Sequence, residues 1–163
     1  MKLAVETDAA NAQRYQTAFD AATKELGIAD KPFTLWLTFT HEPPEIDFVD
    51  DKGFALRVEG GATFNDITDG YVRMTLNTYK LKCTCRGCRE ATKNSDLISV
   101  FCHEMAHVKQ LVTGELSRES ATGLWWHGKL YDPLPDYEDM PWEHDADALH
   151  AKLYPKVLAA LGG

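Results

Sequence analysis

The sequence predicts a single α+β domain of 163 residues. Two kinds of segment follow one another along the chain: some repeat apolar residues at a helical period, and others alternate apolar with β-branched residues. Glycine and proline mark the boundaries between them. Because no repeat, low-complexity tract or linker interrupts the order, residues 1–163 are expected to share one hydrophobic core.

Three helices are predicted. Residues 7–26 are rich in alanine and other helix formers, and Gly27 follows as a C-terminal cap. A second helix begins at about residue 94 or 95, keeps a broad apolar face, and ends before Gly114. A proline, which favours the first helical position, precedes the third helix at residues 142–161.

The predicted strands lie between the first two helices in the sequence. Residues 33–40 alternate apolar side chains with threonine, and residues 54–58 and 71–79 each support another short strand. The pairs Gly60-Gly61 and Asp69-Gly70 supply turn chemistry between them. A small sheet, mixed or antiparallel, is therefore expected.

The charge of the chain argues against anionic partners. Seventeen basic and 25 acidic residues leave a net charge of -8, which repels nucleic acid and anionic lipid. No apolar stretch approaches the roughly 18 residues of a membrane-spanning helix, so we expect a cytoplasmic protein without a membrane partner. A nucleic-acid-binding alternative would use the basic residues Lys80, Lys82, Arg86, Arg89 and Lys93.

The second helix carries the motif His-Glu-Met-Ala-His at residues 103–107. His103 and His107 lie one helical turn apart, about 6 Å along the axis, so both imidazoles can reach one metal ion. Glu104 is displaced by about 100° and is positioned to act as a general base on water. The alternative to a metal site is that both histidines are ordinary core or surface residues and that Glu104 is a solvated carboxylate. We predict that the metal is Zn²⁺, which accepts nitrogen and oxygen ligands. Bound zinc lowers the pKa of its water molecule and polarises a carbonyl, so amide hydrolysis becomes feasible near neutral pH.

The third ligand is expected at the start of the last helix. Glu143 places a carboxylate there, and Asp147, one turn later on the same face, can accept the free ring N–H of a ligand histidine. An acidic helix start also suits the helix dipole without any metal. The rival third ligands are His144, Asp145, Asp139 and His127.

These two segments resemble the gluzincin branch of zinc metallopeptidases, which pairs HExxH with a downstream ExxxD helix. The run between them, residues 108–142, is longer than in the thermolysin type. A wider pattern consists of HEMAHVKQ at residues 103–110, Trp-x-Gly-Lys at residues 126–129 and Pro-Trp-Glu at residues 141–143. This pattern, which covers roughly residues 95–155, also resembles small metallopeptidases of phage and bacterial genomes. A metzincin would place a third histidine soon after His107, and none occurs before His127.

The resemblance implies a zincin-like domain with a central HExxH helix and a C-terminal helix that carries the third ligand. It further implies a zinc peptidase acting on a peptide or protein substrate, in the cytoplasm of a bacterial or phage-infected cell. A non-catalytic zinc-containing binding module is the alternative. Nothing in the sequence predicts an oligomeric state.

Other residues are candidates for completing the site. His127, Tyr131 and Tyr137 are each able to donate a hydrogen bond to an oxyanion, although loop packing or surface exposure would equally explain them. Zincin-like sites commonly bind substrate along a sheet edge, so the strand at residues 71–79 is the candidate edge.

A cysteine cluster precedes the second helix. Cys83, Cys85 and Cys88 include a C-x-x-C spacing compatible with a structural metal, with Cys102 as a conceivable fourth thiolate. A disulfide or free thiols remain open alternatives. Cys102 is expected mainly to pack in the core.

Overall fold

The computed structural model describes residues 1–40, 60–63, 70–77, 97–117 and 123–163. Those residues form three helices and two small sheets, which confirms the α+β class. The helices are α1 (Ala9–Glu25), α2 (Leu97–Val112) and α3 (Pro141–Ala160). The strands are β1 (Lys2–Val5), β2 (Thr34–Thr40), β3 (Gly60–Thr63), β4 (Tyr71–Asn77), β5 (Leu116–Ser117), β6 (Leu124–Trp126) and β7 (Lys129–Tyr131).

The larger sheet is mixed, with the strand order β1-β2-β4-β3. Strands β1, β2 and β4 run parallel, whereas β3 is antiparallel to β4. Leu35 and Leu37 of β2 are fully buried and pair in register with Val72 and Met74 of β4. Helix α1 provides the crossover between the parallel strands β1 and β2, as parallel pairing requires.

Helix α1 begins at a side-chain cap. The Asp8 carboxylate accepts a hydrogen bond of 3.0 Å from the backbone N–H of Asn11, which satisfies a free donor of the first turn. The apolar face of this helix packs on α2 and α3. There the Tyr15 ring meets the Phe101 ring of α2 edge-on at a centroid distance of 5.5 Å.

Helix α2 lies at the centre of the fold. It packs against α1 and α3 on one side and against strands β3 and β4 on the other. Phe101, Cys102 and Met105 are fully buried along it, as expected from its broad apolar face. Its central position explains how two histidines on one face can point between helices rather than into solvent.

A second, three-stranded antiparallel sheet has the order β5-β6-β7. The turn between β6 and β7 contains His127 and Gly128, with φ values of 47° and 79°, as two-residue hairpin turns favour. A Cβ atom on Gly123 would lie 2.7 Å from the carbonyl oxygen of Tyr131, so only glycine fits at that position. The sequence pattern did not predict this second sheet.

One strand of the larger sheet was missed, and two predictions about this sheet were wrong. Strand β1 was not predicted, since its four residues gain strand geometry only by pairing with β2. Gly60 and Gly61 were assigned to a turn, but they pair with Leu76 and Thr75 as part of β3. The strand at residues 71–79 was the candidate substrate edge, yet β4 lies between β2 and β3.

Some predictions fall on other parts of the chain. The strand predicted at residues 54–58 and the N-cap predicted at residue 94 or 95 lie outside the described residues. Among the helices of the described ranges, none combines the length and apolarity that crossing a membrane requires.

Candidate metal centre

Three side chains from helices α2 and α3 converge on one point. His103, His107 and Glu143 each offer a ligand atom, and these atoms lie within 4.8 Å of one another. Glu143 Oε2 lies 3.4 Å from His103 Nε2, and Glu143 Oε1 lies 3.3 Å from His107 Nε2. Each carboxylate oxygen therefore faces one imidazole.

The two helices determine this geometry. Within α2, the four-residue spacing places the His103 and His107 rings 4.9 Å apart between centroids, with an interplanar angle of 82°. Within α3, Pro141 occupies the first turn, and the neighbouring Trp142 is only 3 % exposed. The buried tryptophan anchors the start of α3 against the core, and Glu143 follows directly.

The other ring nitrogen of each histidine has its own acceptor. His103 Nδ1 lies 3.3 Å from Asp147 Oδ1, the partner predicted from the sequence. His107 Nδ1 donates to Gln110 Oε1 at 2.9 Å. Because both Nδ1 atoms are engaged, the Nε2 atoms remain as metal-binding atoms directed at Glu143. The Asp147 side chain is 71 % exposed, so its contact is the weaker of the two.

The charges within this group depend on one another. Burial by itself raises the pKa of Glu143, but hydrogen bonds from His103 and His107 outweigh it and hold that pKa well below its usual range. Burial likewise lowers the pKa of His107, while the hydrogen bond and charge of Glu143 raise it above its usual value overall. The site thus holds a carboxylate that positive charge stabilises, and two nitrogens and an oxygen are a ligand set that suits Zn²⁺.

Glu104 is one of the few buried charged residues in the described ranges, at 6 % exposure. Burial and Glu143 have the larger effects on the pKa values of His107 and Tyr137. The charge of Glu104 adds a smaller effect, which raises both pKa values. The carboxylate therefore lies close enough to act electrostatically on the metal-binding group.

The structure separates the three candidate oxyanion donors. Tyr137, in a 3₁₀ turn at Tyr137–Asp139, donates its hydroxyl to Glu143 Oε2 at 2.9 Å. Partial burial, followed by the hydrogen bond and charge of Glu143, raises its pKa, although the residue as a whole is 59 % exposed. The Tyr131 ring instead packs edge-on against Trp142 at 5.4 Å. His127 is exposed in the β6–β7 turn. Of these three, Tyr137 contacts the metal-binding group.

The rival third ligands make other contacts. His144 Nε2 hydrogen-bonds to the backbone carbonyl of Glu138, and the Asp145 carboxylate accepts from Gln110 Nε2. Asp139 lies in the 3₁₀ turn and is not part of the converging group. Glu143 is thus the acidic residue of this segment that faces both histidines.

The cysteine cluster lies beyond the described ranges. Cys83, Cys85 and Cys88, together with the basic residues between 80 and 93, fall outside them. Cys102 is fully buried in the core beside the metal-binding helix.

Sequence reasoning did not find Gln110. It follows His107 by three residues on the same helix, a spacing at which side chains meet. The available signal was an amide side chain on the same helix face as the two histidines.

Comparison with protein-family models, curated proteins and solved structures gave no match to the chain.

Proposed function

We propose that this protein is a zinc-dependent peptidase that hydrolyses peptide bonds with a glutamate as general base. The observation that carries the proposal is the convergence of His103, His107 and Glu143, whose ligand atoms lie within 4.8 Å of one another. The HExxH spacing on α2 and the acidic first turn of α3 supply this set from two packed helices.

The number of ligands favours catalysis over a structural role. Structural zinc sites are usually closed by four protein ligands, whereas catalytic sites use three and leave a position for water. Within the described part of the chain, the converging group has three members. A Zn²⁺ ion bound by them would acidify a water molecule and polarise the substrate carbonyl.

The protein's own residues divide the remaining work. Glu104 accepts a proton from the attacking water and passes it to the leaving amine, as a buried carboxylate beside the site is able to do. The Tyr137 hydroxyl donates its one hydrogen to Glu143 here, and during the reaction it would turn this hydrogen to the oxyanion that develops on the scissile carbonyl. Throughout the reaction, His103 Nδ1 stays in contact with Asp147, and His107 Nδ1 stays hydrogen-bonded to Gln110.

Strand β3 is the proposed substrate edge. It ends the strand order of the larger sheet and contacts α2, the helix that carries the motif. An extended peptide can add to such an edge through backbone hydrogen bonds, which gives affinity with little sequence preference. The proposed substrate is therefore an extended segment of a peptide or protein.

The test is Glu104→Gln, assayed with a peptide library and with zinc analysis. We expect about one zinc per chain in both proteins and a loss of hydrolysis of at least about 100-fold in the variant, because a general base contributes about 10²–10⁴-fold. Glu6→Gln is the matched control, since Glu6 is exposed before α1. An unchanged rate in Glu104→Gln would refute the mechanism. Stoichiometric zinc without hydrolysis by the wild type would instead indicate a non-catalytic zinc module.

A further inference from the structure

Gln110 is a fully buried amide that connects the two metal-binding helices. Its Oε1 accepts from His107 Nδ1 at 2.9 Å. Its Nε2 donates to the Trp142 carbonyl oxygen at 2.8 Å and to Asp145 Oδ2 at 2.9 Å. All of its polar contacts therefore involve either a ligand histidine or residues that flank Glu143 in the sequence.

The partners of Gln110 determine which way its amide points. A backbone carbonyl and a carboxylate can only accept hydrogen bonds, so both hydrogens of Nε2 are directed to Trp142 and Asp145. Turning the amide over would set its oxygen against two acceptors and leave buried polar groups without hydrogen bonds, which is unfavourable. Oε1 is consequently fixed towards His107.

The orientation of the amide in turn selects the histidine tautomer. Since Oε1 only accepts, His107 Nδ1 must carry a hydrogen, which leaves Nε2 as the ring atom that can bind a metal. That atom is the one directed at Glu143. The same amide holds the backbone at Trp142, one residue before Glu143. One side chain therefore orients two of the three members of the metal-binding group.

We propose that Gln110 is a positioning residue that keeps a hydrogen on His107 Nδ1 and fixes the start of α3, so that His107 Nε2 and Glu143 face each other before metal binds. This inference rests on the proposed metal site, but not on the proposed peptidase activity. Gln110 is not a member of the converging group and acts through His107 and the α3 backbone.

The first test concerns the tautomer in the metal-free, full-length chain. Nuclear magnetic resonance of the ¹⁵N-labelled histidines would report which ring nitrogens of His107 carry a hydrogen. We expect an exchange-protected Nδ1–H on His107 in the wild type, and its loss in Gln110→Met, which keeps the side-chain length. A wild-type His107 with no hydrogen on Nδ1 would overturn the proposal.

The second test measures Zn²⁺ affinity by competition with a chelator. We expect Gln110→Met to bind Zn²⁺ about 10–100-fold more weakly, the usual effect of losing a group that orients a ligand. Thr23→Val is the matched control, because it also removes a buried hydrogen bond, to the Phe19 carbonyl at 2.9 Å, but in α1.

A purely structural role for Gln110 predicts equal losses of thermal stability in both variants and unchanged zinc affinity, which would overturn the proposal. If Gln110→Met fails to fold, Asp145→Ala removes one acceptor of the amide and should weaken Zn²⁺ binding, whereas Asp145→Asn keeps an acceptor oxygen and should restore it. Equal zinc affinity in these two Asp145 variants would contradict the proposal. Failure of peptide hydrolysis alone would refute the proposed function and leave this inference standing.

Discussion

At the scale of single residues, two glutamates beside the histidines have different surroundings. Glu143 accepts from Tyr137 and faces both imidazoles, so its charge is matched by donors on every side. Glu104 is also buried, but it lies one residue from His103 on α2 and acts on the site through its charge. The first arrangement suits a metal ligand, and the second suits a group that exchanges a proton with water.

Tyr137→Phe tests the proposed oxyanion donor. Removing the hydroxyl should lower kcat about 100-fold, the effect of losing one such donor, and should change KM and zinc affinity far less. Steady-state kinetics on a peptide identified from the library digest would measure it. Tyr71→Phe is the control, because Tyr71 is 46 % exposed on β4. A kcat within twofold of the wild-type value would assign oxyanion stabilisation to another group.

At the scale of elements, the helix ends place the functional residues. Helix α1 begins at the Asp8 cap, and α3 begins at Pro141, two residues before Glu143. Since α1 packs against both other helices, its position supports the α2–α3 pair that forms the metal centre. The stability of α1 is therefore expected to affect the whole helical layer.

Asp8→Ala should lower the thermal midpoint in a pH-dependent way. Hydrogen bonds from the backbone and side chain of Asn11 lower the pKa of Asp8 in the folded state, below its ordinary value of 3.8. Its contribution to stability is therefore fully present above pH 3.8 and is lost as the pH falls through the folded-state pKa.

Circular dichroism melts at about pH 7 and about pH 2 would show this dependence. The midpoints of wild type and Asp8→Ala should differ at the higher pH and approach each other at the lower one. Glu6→Ala is the control, because Glu6 is also acidic and exposed but lies two residues before the cap. A difference that stays the same at both pH values would exclude a charged cap.

At the scale of the whole molecule, the candidate metal centre joins two helices that are distant in sequence. His103 and His107 come from α2, and Glu143 comes from α3 after the intervening second sheet. A cation held by all three would connect these helices only in the folded state. Metal binding is therefore expected to stabilise the entire fold and not only the site.

Zn²⁺ should raise the thermal midpoint of the wild type. At a free concentration 100 times Kd, binding to the folded state alone contributes about 2.7 kcal/mol. Glu143→Ala should abolish the shift, whereas Glu104→Gln should retain it because Glu104 is not a proposed ligand. Asp139→Asn is the control for a nearby acidic residue outside the converging group. An equal shift in Glu143→Ala and wild type, measured by calorimetry, would exclude Glu143 as a ligand.

The local sequence determined the features that depend on neighbouring residues. Helix spacing put His103 and His107 on one face, and the glycines after α1 and α2 marked their ends with an error of one or two residues. The acidic start of α3 also followed from local pattern, because Pro141 favours a first helical turn. Glu143 and Asp147 were therefore accessible to prediction before any tertiary contact was known.

Only the tertiary structure decided which of these residues meet. Among the described strands, the order β1-β2-β4-β3 places β3 at the end of the sheet, a result that depends on pairing between distant segments. Packing of α3 on α2 brings Gln110 to Trp142 and selects Tyr137, rather than Tyr131 or His127, as the neighbour of Glu143. The α+β class and the motif arise from local periodicity, whereas the composition of the centre arises from contacts between distant elements.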